Sequence, residues 1–133
     1  MFTQNAVRLL IADDDPNVLA AYVSFFNAQG YEIRTSGDGA DALAQYRAWH
    51  PKAVVLDIQM PILDGLETTR RIRRDWPQSA QPRIVAMTAG AFPEDRTMCL
   101  QAGMDDYVTK PVNIEDLVDA LRRVQPPVLT DGA

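Results

Sequence analysis

Apolar and polar positions alternate along this chain in blocks of two kinds. VRLLIA (7–12) is a nearly continuous apolar run, interrupted only by Arg8. Such a run is expected of a strand buried on both faces. Asp15, a capping residue type, and Pro16, favoured in a first helical turn, follow it. Val18, Leu19, Tyr22, Val23 and Phe26 then recur at helical spacing, and Gly30 supplies a stop. YEIRT (31–35) alternates apolar with polar and predicts a half-exposed edge strand. Asp38 is placed to cap a helix that runs to about Trp49, where His50-Pro51 ends it. AVVLD (53–57) and PRIVAMT (82–88) are further buried strands. Between them, Asp64 and Glu67 have the spacing of a capping box at the head of a helix reaching about Arg74. A helix from about Pro93 to Ala102 closes on Gly103, and DYVT (106–109) is a short strand. Asn113 then caps a last helix with Ile114, Leu117, Val118, Leu121 and Val124 along one face.

Strict strand–helix alternation predicts an α/β fold, a doubly wound parallel sheet covered by helices on both faces. Five strands admit the flavodoxin-like (βα)5 order 2-1-3-4-5. Strand texture agrees: the first, third and fourth are apolar throughout and so central, and the second alternates as an edge does. Residues 1–125 are read as one domain, and 126–133 as a tail or the start of a linker.

Composition narrows the class. The chain has 133 residues, 47% hydrophobic and 23% charged, with a net charge of −5. That balance argues against a nucleic-acid surface, which requires a basic face, and suits cation binding. A single cysteine, Cys99, can build neither a disulfide framework nor a thiolate metal site, and reads as a small buried hydrophobe in a reducing, cytoplasmic setting. No apolar run is long enough to span a membrane, and MFTQNAVR lacks a signal peptide's charged start and apolar core.

The fold prediction brings chemistry together. Ligands of such sheets bind at the carboxyl ends of strands beside the point where strand order reverses, here between strands one and three. Asp13 and Asp14 end the first strand, Asp57 the third and Thr88 the fourth, and Lys110 follows the fifth. Carboxylates so gathered repel one another, which raises the pKa of at least one unless a cation intervenes. Mg2+ favours a few carboxylates, carbonyls and retained waters, and readily takes a phosphate oxygen as a further ligand. Lys110 adds a compact positive charge and Thr88 a hydroxyl donor. A carboxylate can also act as a nucleophile on phosphorus.

With LIADDDPN, VLDIQMPILDGLE, IVAMTAG and AGMDDYVTKPV in this order, the chain resembles the receiver domain of two-component response regulators over about residues 6–124. The resemblance implies that Asp57 accepts a phosphoryl group from a phosphohistidine on a sensor histidine kinase or histidine phosphotransfer domain. Asp13, Asp14, Asp57 and the backbone carbonyl of Gln59 would hold Mg2+. Lys110 would pair with the phosphoryl oxygens and Thr88 hydrogen-bond to them. Tyr107 would be the switch aromatic, and the surface of helix 4, strand 5 and helix 5 the one that changes, with a homodimer as one outcome. Lys110-Pro111 would be a cis peptide, and Gln59 and Gly90 would tune the phosphoryl lifetime. The segment MTAGAFPEDRTMCLQAGMDDYVTKPVN looks more like receivers attached to hybrid sensor kinases than like those of DNA-binding regulators.

Plainer roles account for other residues. Asp15, Asp38, Asp64 and Asp106 read as caps or turn residues, whereas Asp57 has no helix directly after it to cap. Arg70, Arg71, Arg73 and Arg74 read as a solvated helix face, or as a contact for an acidic partner. His50 reads as surface, and Trp49 and Trp76 as packing residues. A flavodoxin-type FMN carrier is disfavoured, since three aspartates after the first strand would repel a phosphate. A phosphoaspartyl hydrolase of the haloacid dehalogenase kind would place a second acid two residues after its nucleophile, where Gln59 stands, and a large cap over its site.

Overall fold

The structure, a computed structural model, describes residues 7–60, 62–75, 81–89 and 93–122. Strands β1 (Arg8–Ala12), β2 (Glu32–Ser36), β3 (Ala53–Asp57), β4 (Arg83–Thr88) and β5 (Asp106–Thr109) alternate with helices α1 (Pro16–Ala28), α2 (Gly39–Trp49), α3 (Gly65–Asp75), α4 (Pro93–Ala102) and α5 (Ile114–Arg122). All strand pairs are parallel and the sheet order is β2-β1-β3-β4-β5, as the strand textures predict.

Side-chain parity divides the core in two. Leu9, Ile11, Val55, Val85 and Met87 point to the face covered by α1 and α5, where Tyr22, Phe26, Leu117 and Leu121 meet them. Leu10, Val54, Leu56, Ile84 and Ala86 point to the other face, beneath α2, α3 and α4. Leu9 to Ala12 and Ala53 to Leu56 have no solvent exposure, so β1 and β3 are buried on both sides.

The helix starts follow the sequence. Asp15 Oδ1 accepts from Asn17 N–H at 2.9 Å, Asp38 Oδ1 from Asp41 N–H at 2.7 Å, Asp64 Oδ1 from Glu67 N–H at 2.8 Å, and Asn113 Oδ1 from Glu115 N–H at 2.8 Å. The capping box is only half made. The Glu67 carboxylate accepts from Arg70 and Arg71 one turn on, because two cations outcompete one backbone amide. Strand β2 runs one residue later than the alternation suggests, with Ser36 opposite Ala12.

Two further readings change. Asp106 is not a cap: it opens β5, accepts from Tyr107 N–H at 2.9 Å and pairs with Arg83 at 3.4 Å. Arg73 leaves the solvated face of α3. It donates to the carbonyls of Gly103 and Pro82 and to the Asp105 carboxylate, each at 2.8 Å, and so pins α3 to the loops before β4 and β5. Trp49 is buried, with the guanidinium carbons of Arg34 and Arg8 at 4.7 and 5.6 Å from its ring. His50 is exposed and caps α2 in the left-handed conformation. Trp76, Gly90, Val124 and the tail 126–133 lie outside the described residues.

Candidate phosphoacceptor and metal site

Parity also builds the site. Asp57 is the last residue of β3, opposite Met87. It falls on the α1–α5 side, in step with Ala53 and Val55. Asp13 continues the parity of Leu9 and Ile11, and Lys110 that of Val108. Ladder bonds carry this register past the strand ends. Asp13 N–H donates to Ser36 O at 3.0 Å, Ile58 N–H to Met87 O at 3.0 Å, and Lys110 N–H to Thr88 O at 2.8 Å. Three charged side chains far apart in sequence thus converge above one edge of the sheet.

The Lys110 Nζ is 2.9 Å from Asp57 Oδ2 and 3.2 Å from Asp13 Oδ2. The other oxygens are held by backbone. Asp57 Oδ1 accepts from Gln59 N–H at 3.1 Å, and Asp13 Oδ1 from Asp15 N–H at 2.9 Å. The carboxylates of Asp13, Asp14 and Asp57 bring one oxygen each within 4.8 Å of one another. Asp13 is fully buried and Asp57 5% exposed, while Asp14 faces solvent. Lys110-Pro111 is a cis peptide. IADDDPN therefore divides by role: Asp13 and Asp14 belong to the cluster, and Asp15 caps α1.

Electrostatics match the geometry. Burial pushes the Asp57 carboxyl above its usual range, with the nearby Asp13 charge adding to the rise and Lys110 and Gln59 N–H opposing it. Burial alone would lower the Lys110 ammonium, but its bonds to Asp57 and Asp13 raise it. A single ammonium faces three carboxylates, so the cluster is short of positive charge. Asp13 Oδ2 is buried and paired with the Lys110 ammonium at 3.2 Å, with no further donor among the described residues. An all-oxygen donor set in which carboxylates outnumber the cations beside them fits a hard divalent cation.

Thr88 and Gln59 stand around the phosphoacceptor candidate. With Asp57, Ile58, Leu66, Ala89, Asp95 and Met98 they line a cavity of about 230 Å³ between the β3–α3 loop and α4. Thr88 is 6% exposed and Gln59 is exposed. Tyr107 lies on β5, half-buried, with its ring against the cluster under α2–α4. A larger groove of about 550 Å³ opens on the opposite side of Lys110, between α1 and the start of α5. Val18, Tyr22, Phe25, Val112 and Ile114 form its apolar wall and Asp13, Asp14 and Asp15 its acidic mouth.

Gly65 also shapes the site, although little in the local pattern marks it as functional. Its N–H donates to Ile58 O at 3.0 Å, and a Cβ there would sit 2.5 Å from the Asp57 carbonyl oxygen. Only a residue without a side chain lets α3 begin this close to the end of β3. The available signal was its place directly after the capping Asp64, where a glycine is otherwise a poor first helical residue.

The family model for the response regulator receiver domain matches residues 9–122. The chain is 42% identical over 117 residues to the probable transcriptional regulatory protein TcrX of Mycobacterium tuberculosis, covering 87% of this chain and 48% of that protein. It therefore spans about half the length of this curated relative, whose name places it in transcription and not among hybrid kinases. Chemotaxis protein CheY4 of Vibrio cholerae superposes with a TM-score of 0.81 at 27% identity, over 90% of this chain and 98% of that one. The receiver domain of Saccharomyces cerevisiae Ssk1, solved with the histidine phosphotransfer protein Ypd1, gives a TM-score of 0.78 at 27% identity over 85% of this chain and 84% of that one.

Proposed function

The chain belongs to the response regulator receiver family, and on that premise we propose that it takes a phosphoryl group from a partner's phosphohistidine onto Asp57. The observation that carries this reading is the buried Asp57 carboxylate at the end of β3, 2.9 Å from Lys110 Nζ and within one cluster with Asp13 and Asp14. In the transfer, an Asp57 oxygen forms the O–P bond as the donor's N–P bond breaks. The imidazole nitrogen leaves with the bonding pair. The loose transition state spreads charge over the equatorial phosphoryl oxygens, so positioning and charge neutralisation do most of the work.

Each residue then has a part. Gln59 N–H and Lys110 fix the Asp57 carboxylate between two donors, which orients it before the donor arrives. Lys110 afterwards follows the phosphoryl oxygens, and the Thr88 hydroxyl donates to them. Asp13, Asp14, Asp57 and the Gln59 carbonyl would hold Mg2+, which when bound supplies the positive charge that the cluster lacks. Gln59, which lines the cavity with Asp57, and Gly90, which has no side chain to place or block an attacking water, are the positions that tune the phosphoryl lifetime.

The donor is a sensor histidine kinase or a histidine phosphotransfer domain. The apolar groove between α1 and α5, opening on Lys110 and the aspartates, suits a partner helix that carries the histidine. Phosphorylation shifts a population in helix α4, strand β5 and helix α5, without refolding. Residues 1–125 are read as the domain and 126–133 as a tail or the start of a linker, and the chain works in the cytoplasm with Cys99 reduced and buried. The curated relatives favour a parent that controls transcription over a hybrid kinase.

Incubation with Mg2+ and acetyl phosphate tests the assignment. Intact-mass spectrometry should show one added phosphoryl group on the wild type and none on Asp57→Asn. Equal labelling of the variant would remove Asp57 from its role.

A further inference from the structure

Tyr107 is held by a cation. Arg96, in the first turn of α4, donates from Nε to Tyr107 Oη at 2.9 Å, and its Nη2 donates to the same oxygen. The guanidinium carbon lies 5.1 Å from the ring centroid, so the charge also sits within reach of the ring's π-system. The planar fork of arginine meets both the hydroxyl and the ring of a single side chain.

Parity decides what this contact reaches. Tyr107 stands opposite Ala86, and Thr109 opposite Thr88. Ala86 faces the core beneath α2, α3 and α4, so Thr88, two residues on, and Tyr107 share that face. Asp95 and Met98, either side of Arg96 on α4, line the cavity that also holds Asp57 and Thr88. Arg96 therefore ties the Tyr107 ring to the stretch of helix that walls the phosphoacceptor cavity. Movement of that wall strains the tie, and movement of the ring pulls on the wall.

We infer that Arg96 is a positioning residue that latches Tyr107 in its half-buried setting in the unphosphorylated chain, so that phosphorylation of Asp57 must release this contact. The inference rests on Asp57 being the phosphoacceptor. A contact present in one state and lost in the other biases the equilibrium by its own strength. By reciprocity it also weakens binding of any ligand that favours the second state. An exposed charge-assisted contact of this kind is worth about twofold to fivefold in that equilibrium.

The test uses beryllofluoride, an acyl phosphate mimic, with Mg2+, on wild type, R96M, R96K, Y107F and the R96M/Y107F double variant. R96M keeps an apolar stem and loses the charge. It is expected to bind beryllofluoride about twofold to fivefold more tightly, and to shift the Tyr107 ring resonances of 13C-tyrosine-labelled protein without the mimic. R96K, which retains the charge without the fork, should recover part of the wild-type affinity. The double variant should gain less than the sum of the single variants, since both remove one contact. Unchanged affinity and unmoved ring resonances in R96M, or fully additive gains, would overturn the latch. If the wild type neither binds the mimic nor labels at Asp57, the phosphoacceptor reading itself falls, and the regulatory role of Arg96 with it.

Discussion

Gly65→Ala puts one methyl group where the structure has no room for it. The added Cβ would lie 2.5 Å from Asp57 O, 3.0 Å from Ile58 Cα and 3.1 Å from Asp57 C. Ordinary contact begins at 3.4 Å, so α3 and the end of β3 must part by roughly an ångström. The neighbours are backbone, and they belong to the central strand of the sheet, which is buried on both faces and bonded to β1 and β4. Over-packing of this kind costs about 1–3 kcal/mol, and an unyielding neighbour places it in the upper half of that range. One gain opposes it. Alanine is a better helix former by up to about 1 kcal/mol in a helix interior, though less at a first position, chiefly because it restricts the unfolded chain. The net expectation is a loss of about 1–2 kcal/mol, or a melting temperature lower by about 3–10 °C for a chain of this size. Function should suffer more than stability, because the displaced carbonyl belongs to the phosphoacceptor. A misplacement near 1 Å can cost up to about a hundredfold in rate. Gly37→Ala is the control: Gly37 has nothing within 4 Å of its Cβ position and no positive φ. It should stay within about 0.5 kcal/mol of the wild type. Urea denaturation gives the stabilities, and the rate of Asp57 labelling by acetyl phosphate gives the function. If Gly65→Ala unfolds with Gly37→Ala and labels at the wild-type rate, the close approach of α3 to β3 does not position Asp57.

The acidic cluster and the Arg73 pin make two further expectations. In EDTA at neutral pH, Asp57→Asn should melt above the wild type, because burial raises the Asp57 carboxyl and its ionised form disfavours folding. A group raised in this way stabilises below its unfolded pKa and loses that contribution as pH rises through the folded value, so the gap should close towards pH 4; a variant melting below the wild type in EDTA would contradict this. Added Mg2+ should narrow or reverse the order, since a ligand at tenfold over its Kd stabilises by about 1.4 kcal/mol. Arg73→Ala strips the Gly103 and Pro82 carbonyls and Asp105 of a shared donor whose side chain is only 22% exposed, and should cost about 1.5–3 kcal/mol in urea denaturation. Arg74→Ala, with that side chain 68% exposed, should fall within about 0.5 kcal/mol of wild type, and equal losses in the two would return Arg73 to the solvated face.

Much of this protein could be read from one dimension. Period and punctuation are local properties, so β1, β3 and β4 announced themselves as apolar runs, and Asp15, Asp38, Asp64 and Asn113 as caps. Strand texture then ordered the sheet, because burial on both faces and burial on one leave different patterns. The order placed Asp13, Asp14, Asp57, Thr88 and Lys110 at one edge, since parallel strands all end on the same side. Contacts between side chains and distant backbone were not legible in this way. Arg73 looks no different from Arg74 in sequence, and only the packing of α3 against the loops before β4 and β5 gives one of them four carbonyl and carboxylate partners. Asp106 has the composition of a turn residue, and only the β4–β5 register brings Arg83 to it. Gly65 and Arg96 are alike in this respect, because the nearness of one to Asp57 O and of the other to Tyr107 is set by how two elements dock. Which elements form, and where their ends fall, follows from periodicity and capping that act within a few residues. Which of those ends touch follows from how the helices dock on the sheet, because such contacts depend on distances that no spacing along the chain encodes.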